Sequence, residues 1–252
     1  MTNYQKPQRI LHAGLHKTGS TFLQRHVFPN LKHVTYIHGY TFGRLPNISK
    51  KSLNPILISS EAACGYPYPY TPDFSVDNLI SNVRLLAITK VLLFTREFND
   101  WVLSLYFQSL NGNSTWTLED FIDRNGTALL TWQNAAAKIA MALSEEGVEI
   151  LNLQQEDLLE TPEEVTWEIC SFVGAPKLDV HRHISNRSRK GALTVKIYRI
   201  LNKTYRFRML KAIYRTGIVN PRKLIQRGMV GVVTEKFSRR LLSADDVEKL
   251  LT

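Results

Sequence analysis

The 252-residue chain is predicted to be an α/β protein with a doubly wound parallel sheet and helices on both faces. Short apolar runs alternate with segments of helical periodicity over residues 9–174, which is the pattern of repeated βα units. Hydrophobic residues make up 44% of the chain, enough for a sizeable core, and no repeat or low-complexity tract interrupts it. We therefore expect a single domain over 1–252, in which 192–252 form a basic and mainly helical extension.

The strands are predicted where short apolar runs occur, namely at 9–14, 33–38, 56–60, 90–95 and 148–153. The helices are predicted where apolar residues recur at helical spacing, namely at 19–28, 76–87, 98–110, 118–122 and 133–146. A last helix is expected to begin after Thr161 and to end near Gly174. Thr161 can act as its N-cap, Pro162 suits the first helical position, and Glu163 lies near the positive end of the helix dipole.

The segment after the first strand has the composition of a phosphate-binding turn. Gly14 and Gly19 frame four residues that include Lys17, and the helical pattern begins directly afterwards. Backbone N–H groups at the helix start, the positive end of the helix dipole and the lysine would together hold an anion. The turn differs from the nucleotide-kinase motif G-x-x-x-x-G-K-[ST], because Ser20 stands where that motif has its lysine.

A second segment also carries phosphate-binding side chains at the end of a strand. Arg96 follows the apolar run 91–95 and offers a forked cation to a phosphate. Ser104 lies eight positions later, about two helical turns on, and can add a hydroxyl from the same side. A ligand with phosphates at both ends needs two such sites.

These two segments resemble the phosphate motifs of the sulfotransferases that use 3′-phosphoadenosine 5′-phosphosulfate. The resemblance spans most of residues 9–191 and implies a P-loop-like fold of the bacterial type and a metal-independent reaction with that donor. It implies that the 5′-phosphosulfate is held by Lys17, Thr18, Gly19, Ser20 and Thr21. It also implies that the 3′-phosphate is held by Arg96, Ser104, Arg189 and Lys190, the last two within an Arg-Lys-Gly triplet. Gln155 stands where the family has a tyrosine that helps to hold the adenine.

Two catalytic groups are expected. Lys17 can neutralise the charge that develops on the bridging oxygen of the leaving group, so it favours the transition state over the ground state. Glu61 follows the predicted strand 56–60 and precedes small apolar residues, which should raise its carboxyl pKa toward that of a general base. Its position is similar to the Ser-x-Glu element of heparan-type carbohydrate sulfotransferases.

Other roles for these residues stay open at this point. Glu61 could instead cap a turn, and a histidine could be the base, as in the phenol-type members of the family. The histidines considered for that role are His16, His38, His181 and His183.

The acceptor is expected to be a hydroxyl group, carried by a carbohydrate or a glycolipid. Segment 62–75 contains three tyrosines between alternating prolines. Prolines exclude a helix there, and tyrosine rings suit stacking against a sugar, although they could equally pack onto the body of the protein. The two cysteines, Cys64 and Cys170, lie in unrelated contexts, so neither a disulfide framework nor a cysteine-rich metal site is expected.

The net charge of +10 is concentrated in the last part of the chain. Residues 1–180 carry 14 Lys and Arg against 18 Asp and Glu, whereas residues 181–252 carry 18 against 4. Such a region is either a solvated helical face or a surface for anions, and we expect peripheral contact of 192–240 with an anionic membrane and no nucleic-acid partner. No secretory signal or membrane-length apolar run is visible, which favours a cytoplasmic protein.

Two other classes of protein are consistent with parts of this sequence. One is a nucleotide-dependent kinase of P-loop ancestry, which would need a lysine at position 20 and an acidic strand end for magnesium. The other is a non-catalytic protein that binds a polyanion or a membrane surface through the basic C-terminal region. The second class leaves the two phosphate motifs unexplained.

Overall fold

The computed structural model describes residues 7–38, 54–61, 63–65, 76–112, 114–179 and 199. By the contacts between its residues, the chain divides into two compact units. The first unit comprises Met1–Glu97 and Ala128–Ser185, and the second comprises Phe98–Thr127 and Asn186–Thr252. The single domain expected over 1–252, with its C-terminal extension, stays a prediction.

The first unit contains a five-stranded sheet. Its strands are β1 (Arg9–Gly14), β2 (Thr35–His38), β3 (Ile56–Ser59), β4 (Lys90–Thr95) and β5 (Glu149–Gln154). They lie in the order β2-β3-β1-β4-β5, and every neighbouring pair is parallel. The five predicted strands are thus confirmed to within two residues at each end.

The helical elements follow the strands in βα order. They are α1 (Ser20–Phe22), α2 (Val76–Leu86), α3 (Phe98–Asn111), α4 (Leu118–Gln133), α5 (Ala135–Glu145), α6 (Gln155–Glu160) and α7 (Pro162–Val173). The segment after α1 continues as a π-helical turn, Leu23–Val27, and a 3₁₀ turn, Phe28–Asn30. The last helix begins and ends as predicted, with Pro162 in its first turn and Gly174 closing it in the left-handed conformation with φ 74°. Thr161 occupies the N-cap position but makes no side-chain capping bond, because its hydroxyl donates to the carbonyl of Asp157 at 3.3 Å.

One helix prediction was wrong in extent, and one helix was missed. The helix predicted at 118–122 continues as α4 to Gln133, because Asn125 does not end it. The side-chain amide of Asn125 donates a hydrogen bond of 2.6 Å to the carbonyl of Phe121 one turn earlier, so the helix accommodates it. The short helix α6, directly after β5, was not predicted at all.

Both faces of the sheet are covered. Side chains from alternate strand positions, including Ile10, Leu57 and Phe94, form one core with the helical turns after β1 and with α6 and α7. The opposite positions are also buried, and α2 and α5, which contact each other, carry buried residues on their inner faces. The predicted fold class, a doubly wound parallel sheet with helices on both faces, is confirmed.

The second unit is built around α3, most of which is buried. The Tyr106 hydroxyl donates to the carbonyl of Trp116 at 3.2 Å, and the Tyr106 ring lies 5.7 Å from that of Phe121. Thr117 and Asp120 exchange side-chain to backbone hydrogen bonds of 2.8 and 2.9 Å, which caps the start of α4. Within the ranges that the structure describes, we find no helix with the length and apolarity needed to span a membrane.

Candidate functional site

The ends of three neighbouring strands meet at one edge of the sheet. Strand β1 lies between β3 and β4, with His12 paired to Ser59 and Gly14 paired to Phe94. Since all three strands are parallel, the residues that follow them emerge on the same side, where doubly wound proteins bind their ligands. Lys17, Glu61 and Arg96 are those residues, and they interact with one another as described below.

The turn between β1 and α1 is held in a strained conformation. Lys17 has φ 70° and Gly19 has φ 88°, both in the left-handed region that L side chains rarely adopt. Thr18, which is fully buried, donates from its hydroxyl to the carbonyl of Leu15 at 2.6 Å. A hydrogen bond inside the turn therefore stabilises a backbone that only Gly19 adopts without strain.

Gly14 allows the start of α1 to approach β1 closely. A Cβ atom at this position would lie 2.8 Å from Oγ of Ser20 and 3.2 Å from Nε2 of His12. Both of those polar atoms are buried, and neither has a hydrogen-bond partner in the described part of the chain. The Ser20 hydroxyl therefore faces strand β1, and only glycine leaves room for it.

Lys17 and Arg96 bring two positive charges together at this turn. The Arg96 guanidinium donates a hydrogen bond of 3.2 Å from Nη1 to the carbonyl of Lys17, which ties the end of β4 to the turn. Burial, and then the positive charge of Arg96, lower the pKa of Lys17 below its usual value, while negative Glu61 opposes the shift. A bound anion would relieve this repulsion, so the two side chains form a cationic site.

Glu61 lies next to the same turn and is paired with a histidine. Nδ1 of His16 lies 3.4 Å from Oε2 of Glu61. The hydrogen bond from His16 lowers the pKa of Glu61, burial acts in the opposite direction, and the charges of His16 and Lys17 lower it further. The expectation of a raised pKa at Glu61 was therefore wrong, because the sequence shows its apolar neighbours along the chain but not the donors that face it in space.

His12 is a fully buried residue of this site that the sequence analysis missed. Its Nδ1 lies 2.9 Å from Oγ of Ser59, which also accepts a 3.0 Å hydrogen bond from the amide of Gln24. Burial lowers the pKa of His12 to about 4, although Glu61 acts in the opposite direction, so the imidazole is neutral near pH 7. A histidine in an otherwise apolar strand, two residues before Gly14, was the available signal.

Gln155 also lies against the turn between β1 and α1. A Cβ atom on Gly19 would lie 3.5 Å from Cγ of Gln155, and Oε1 of Gln155 is buried without a hydrogen-bond partner in the described part. The first residue of the unpredicted helix α6 therefore contacts the turn.

The remaining predicted site residues have separate positions. Ser104 is buried in α3 of the second unit, and its Oγ has no hydrogen-bond partner among the described residues. Thr21 is exposed in the first turn of α1, and exposed His38 has its Nδ1 2.9 Å from the Tyr36 hydroxyl. The rest lie outside the described residues, namely His181, His183, Arg189 and Lys190.

A metal site is not apparent in the described part of the chain. The residues described there include no group of three or more His, Cys, Asp or Glu side chains arranged to hold a metal ion. The cationic groups at the turn suit an anion instead, because they are donors without a lone pair for a metal.

Comparison with known proteins supports the fold and leaves the family open. The structure is similar to the crystal structure of a sulfotransferase from Alicyclobacillus acidocaldarius, with a TM-score of 0.51 and 14% sequence identity. The match covers 73% of this chain and 87% of that chain, so the protein has a sulfotransferase-like fold. No protein-family model and no curated protein sequence matches the chain.

The left-handed conformation of Lys17 predicts an unusual order of stability for two variants at that position. Lys17→Gly and Lys17→Ala both remove the ammonium group, so they are matched in charge. We expect the glycine variant to be more stable than the alanine variant by about 0.5–1 kcal/mol, because glycine adopts a positive φ without the Cβ clash. Urea denaturation of both proteins measures the difference, and greater stability of the alanine variant would contradict the strained conformation.

Burial of neutral His12 predicts a loss of stability in mild acid. The folded-state pKa of about 4 lies below the ordinary 6.5, so the unfolded chain binds a proton first as the pH falls. The folding stability that neutral His12 contributes is thus fully present above pH 6.5 and is lost as the pH falls toward 4. The total loss is about 3 kcal/mol, at ~1.4 kcal/mol for each unit by which the pKa is lowered. Unfolding free energies at several pH values should show a shallower slope in His12→Asn than in wild type. Equal slopes would rule out the buried neutral imidazole.

Proposed function

We propose that this protein transfers a sulfuryl group from 3′-phosphoadenosine 5′-phosphosulfate to the hydroxyl group of an acceptor. The observation that carries the proposal is the meeting of Lys17 and Arg96 at a strained turn between β1 and α1. The sulfotransferase-like fold supports the same reaction class.

The electrostatics of the turn favour a donor of this kind. Two cations meet in a partly buried place, where burial and then the charge of Arg96 lower the pKa of Lys17. An anionic donor reverses the effect, because it stabilises the charged form of both side chains. Binding of a polyanion is therefore favoured, and its negative charge should raise the Lys17 pKa again.

In the proposed reaction, Lys17 and Glu61 act on different partners. The sulfuryl group moves in line from the leaving phosphate oxygen to the acceptor oxygen, and charge develops on the leaving oxygen. The Lys17 ammonium stabilises that charge. The Glu61 carboxylate, which is ionised and so able to act as a base at neutral pH, takes the acceptor proton, although its lowered pKa reduces its basicity.

The chemical class of the acceptor rests on the sequence alone. A carbohydrate or glycolipid hydroxyl is proposed from the Ser-x-Glu element that ends at Glu61 and from the tyrosine-rich segment 62–75. The cytoplasmic location and the contact of 192–240 with an anionic membrane stay predictions.

A binding measurement separates the proposed donor from the alternatives. At a hundredfold excess over its dissociation constant, 3′,5′-adenosine bisphosphate should stabilise the folded protein by about 2.7 kcal/mol, measured as a rise in melting temperature. Ser104→Ala should weaken this binding by roughly threefold to tenfold, the cost of one neutral hydrogen bond of about 0.5–1.5 kcal/mol.

Ser109→Ala is the matched control on the same helix. Ser109 is also buried, but its hydroxyl already donates to the carbonyl of Tyr106 at 2.7 Å. Its loss should lower stability and leave the bisphosphate affinity unchanged. Stabilisation by ATP with magnesium but not by the bisphosphate would favour a kinase, and stabilisation only by heparin or anionic vesicles would favour a non-catalytic binder.

Turnover provides the second test. Lys17→Ala should reduce transfer of radiolabelled sulfuryl from the donor at least about a hundredfold, the usual cost of losing a transition-state charge contact. Lys32→Ala removes an exposed lysine outside the turn and should leave turnover unchanged. A Lys17→Ala enzyme with nearly wild-type turnover would exclude the assigned role.

A further inference from the structure

We propose that His16 is a positioning residue that holds the Glu61 carboxylate away from Lys17 and keeps both groups available for catalysis. The inference rests on the proposed function, because it assigns different reaction partners to the two charged groups. It starts from the contact between Nδ1 of His16 and Oε2 of Glu61 at 3.4 Å.

His16 matters because Lys17 and Glu61, which carry opposite charges, lie close to each other. Glu61 raises the pKa of Lys17, and Lys17 lowers that of Glu61, so the two side chains attract each other. A direct ion pair would engage the ammonium that the leaving group needs and the carboxylate that the acceptor needs. No such ion pair forms between them in the described structure, where Glu61 instead pairs with His16.

His16 is well placed for this role because it precedes Lys17 in the turn. Its side chain is only 16% exposed, whereas that of Glu61 is 30% exposed. The carboxylate is thus the more accessible group of the pair and can meet an acceptor, while the less accessible imidazole contacts its Oε2.

Other titratable groups also face Glu61 from neighbouring elements. His12 in β1 contributes only when it is protonated, and the Glu61 charge raises the pKa of Tyr36 in β2 less than burial does. His16 gives the largest single contribution to the lowered Glu61 pKa. It is therefore the residue whose removal should change the orientation of the carboxylate most.

The test measures the coupling between Lys17 and Glu61 directly and needs no donor. The pKa of Glu61 is followed by NMR of ¹³C-labelled glutamate, with Glu61→Gln identifying the signal. Lys17→Met is introduced into wild type, His16→Ala and His16→Asn. Asparagine places its amide N–H near the position of Nδ1 and so keeps the donor, whereas alanine removes it.

In His16→Ala we expect the released Glu61 carboxylate to approach Lys17, and halving the distance between the two charges doubles their interaction. Lys17→Met should therefore change the Glu61 pKa about twice as much in His16→Ala as in wild type. In His16→Asn the change should match that in wild type. If His16→Ala does not fold, His16→Gln serves in its place, since its amide reaches the position of Nε2 and not of Nδ1. An equal change in all backgrounds would overturn the proposal.

Kinetics give an independent readout. His16→Ala should lower kcat roughly tenfold to a hundredfold, the scale of a misplaced catalytic group, and His16→Asn should restore it. If Glu61→Gln stays active while both His16 variants are inactive, His16 is itself the base and the positioning role is wrong. If wild type transfers no sulfuryl group, the proposed function fails, and the NMR measurement still decides the role of His16.

Discussion

The parallel hydrogen bonding of β1 with β3 on one side and β4 on the other determines where the charged groups of the site lie. The pairing of His12 with Ser59 and of Gly14 with Phe94 sets the strand ends level. As a consequence, Lys17, Glu61 and Arg96 interact although they are far apart in sequence. Gly14 adds a second constraint, because the absence of a Cβ lets the Ser20 hydroxyl rest against β1. The helical turns after β1 and helices α6 and α7 then pack on one face of the same strands.

The net charge around the turn depends on which side chains stay neutral as well as on which are ionised. Lys17 and Arg96 repel each other, and Glu61 offsets part of that repulsion. His12 lies fully buried in β1 close to the turn, and its depressed pKa keeps it uncharged, so it adds no third positive charge there. The cationic groups and the carboxylate therefore remain distinct, with His16 rather than Lys17 as the partner of Glu61. Such an arrangement suits a reaction in which one side chain faces a leaving anion and another faces an incoming hydroxyl.

Much of the first unit could be predicted from the sequence because its strands are short apolar runs and its turn carries two framing glycines. The length of α4 could not, since Asn125 and Gly126 are poor helix formers and the helix nevertheless continues through them, with the Asn125 amide bonded to the carbonyl of Phe121. The placement of Lys17 and Glu61 after adjacent strands followed from the parallel topology. The lowered pKa of Glu61 did not, because it depends on a histidine that is 45 positions away in sequence and in contact in space. His12 was missed since its partners lie on other elements.

The π-helical turn after α1 absorbs one residue without changing the direction of the helical segment. The N–H of Phe28 bonds to the carbonyl of Leu23, five residues back, so the turn holds one residue more than an α-helical turn. Deleting Arg25 or His26, both exposed, would leave a turn of α-helical length, and the fully buried Val27 and Phe28 would stay in the core. Related proteins can therefore differ by one residue in this segment and keep the same buried contacts.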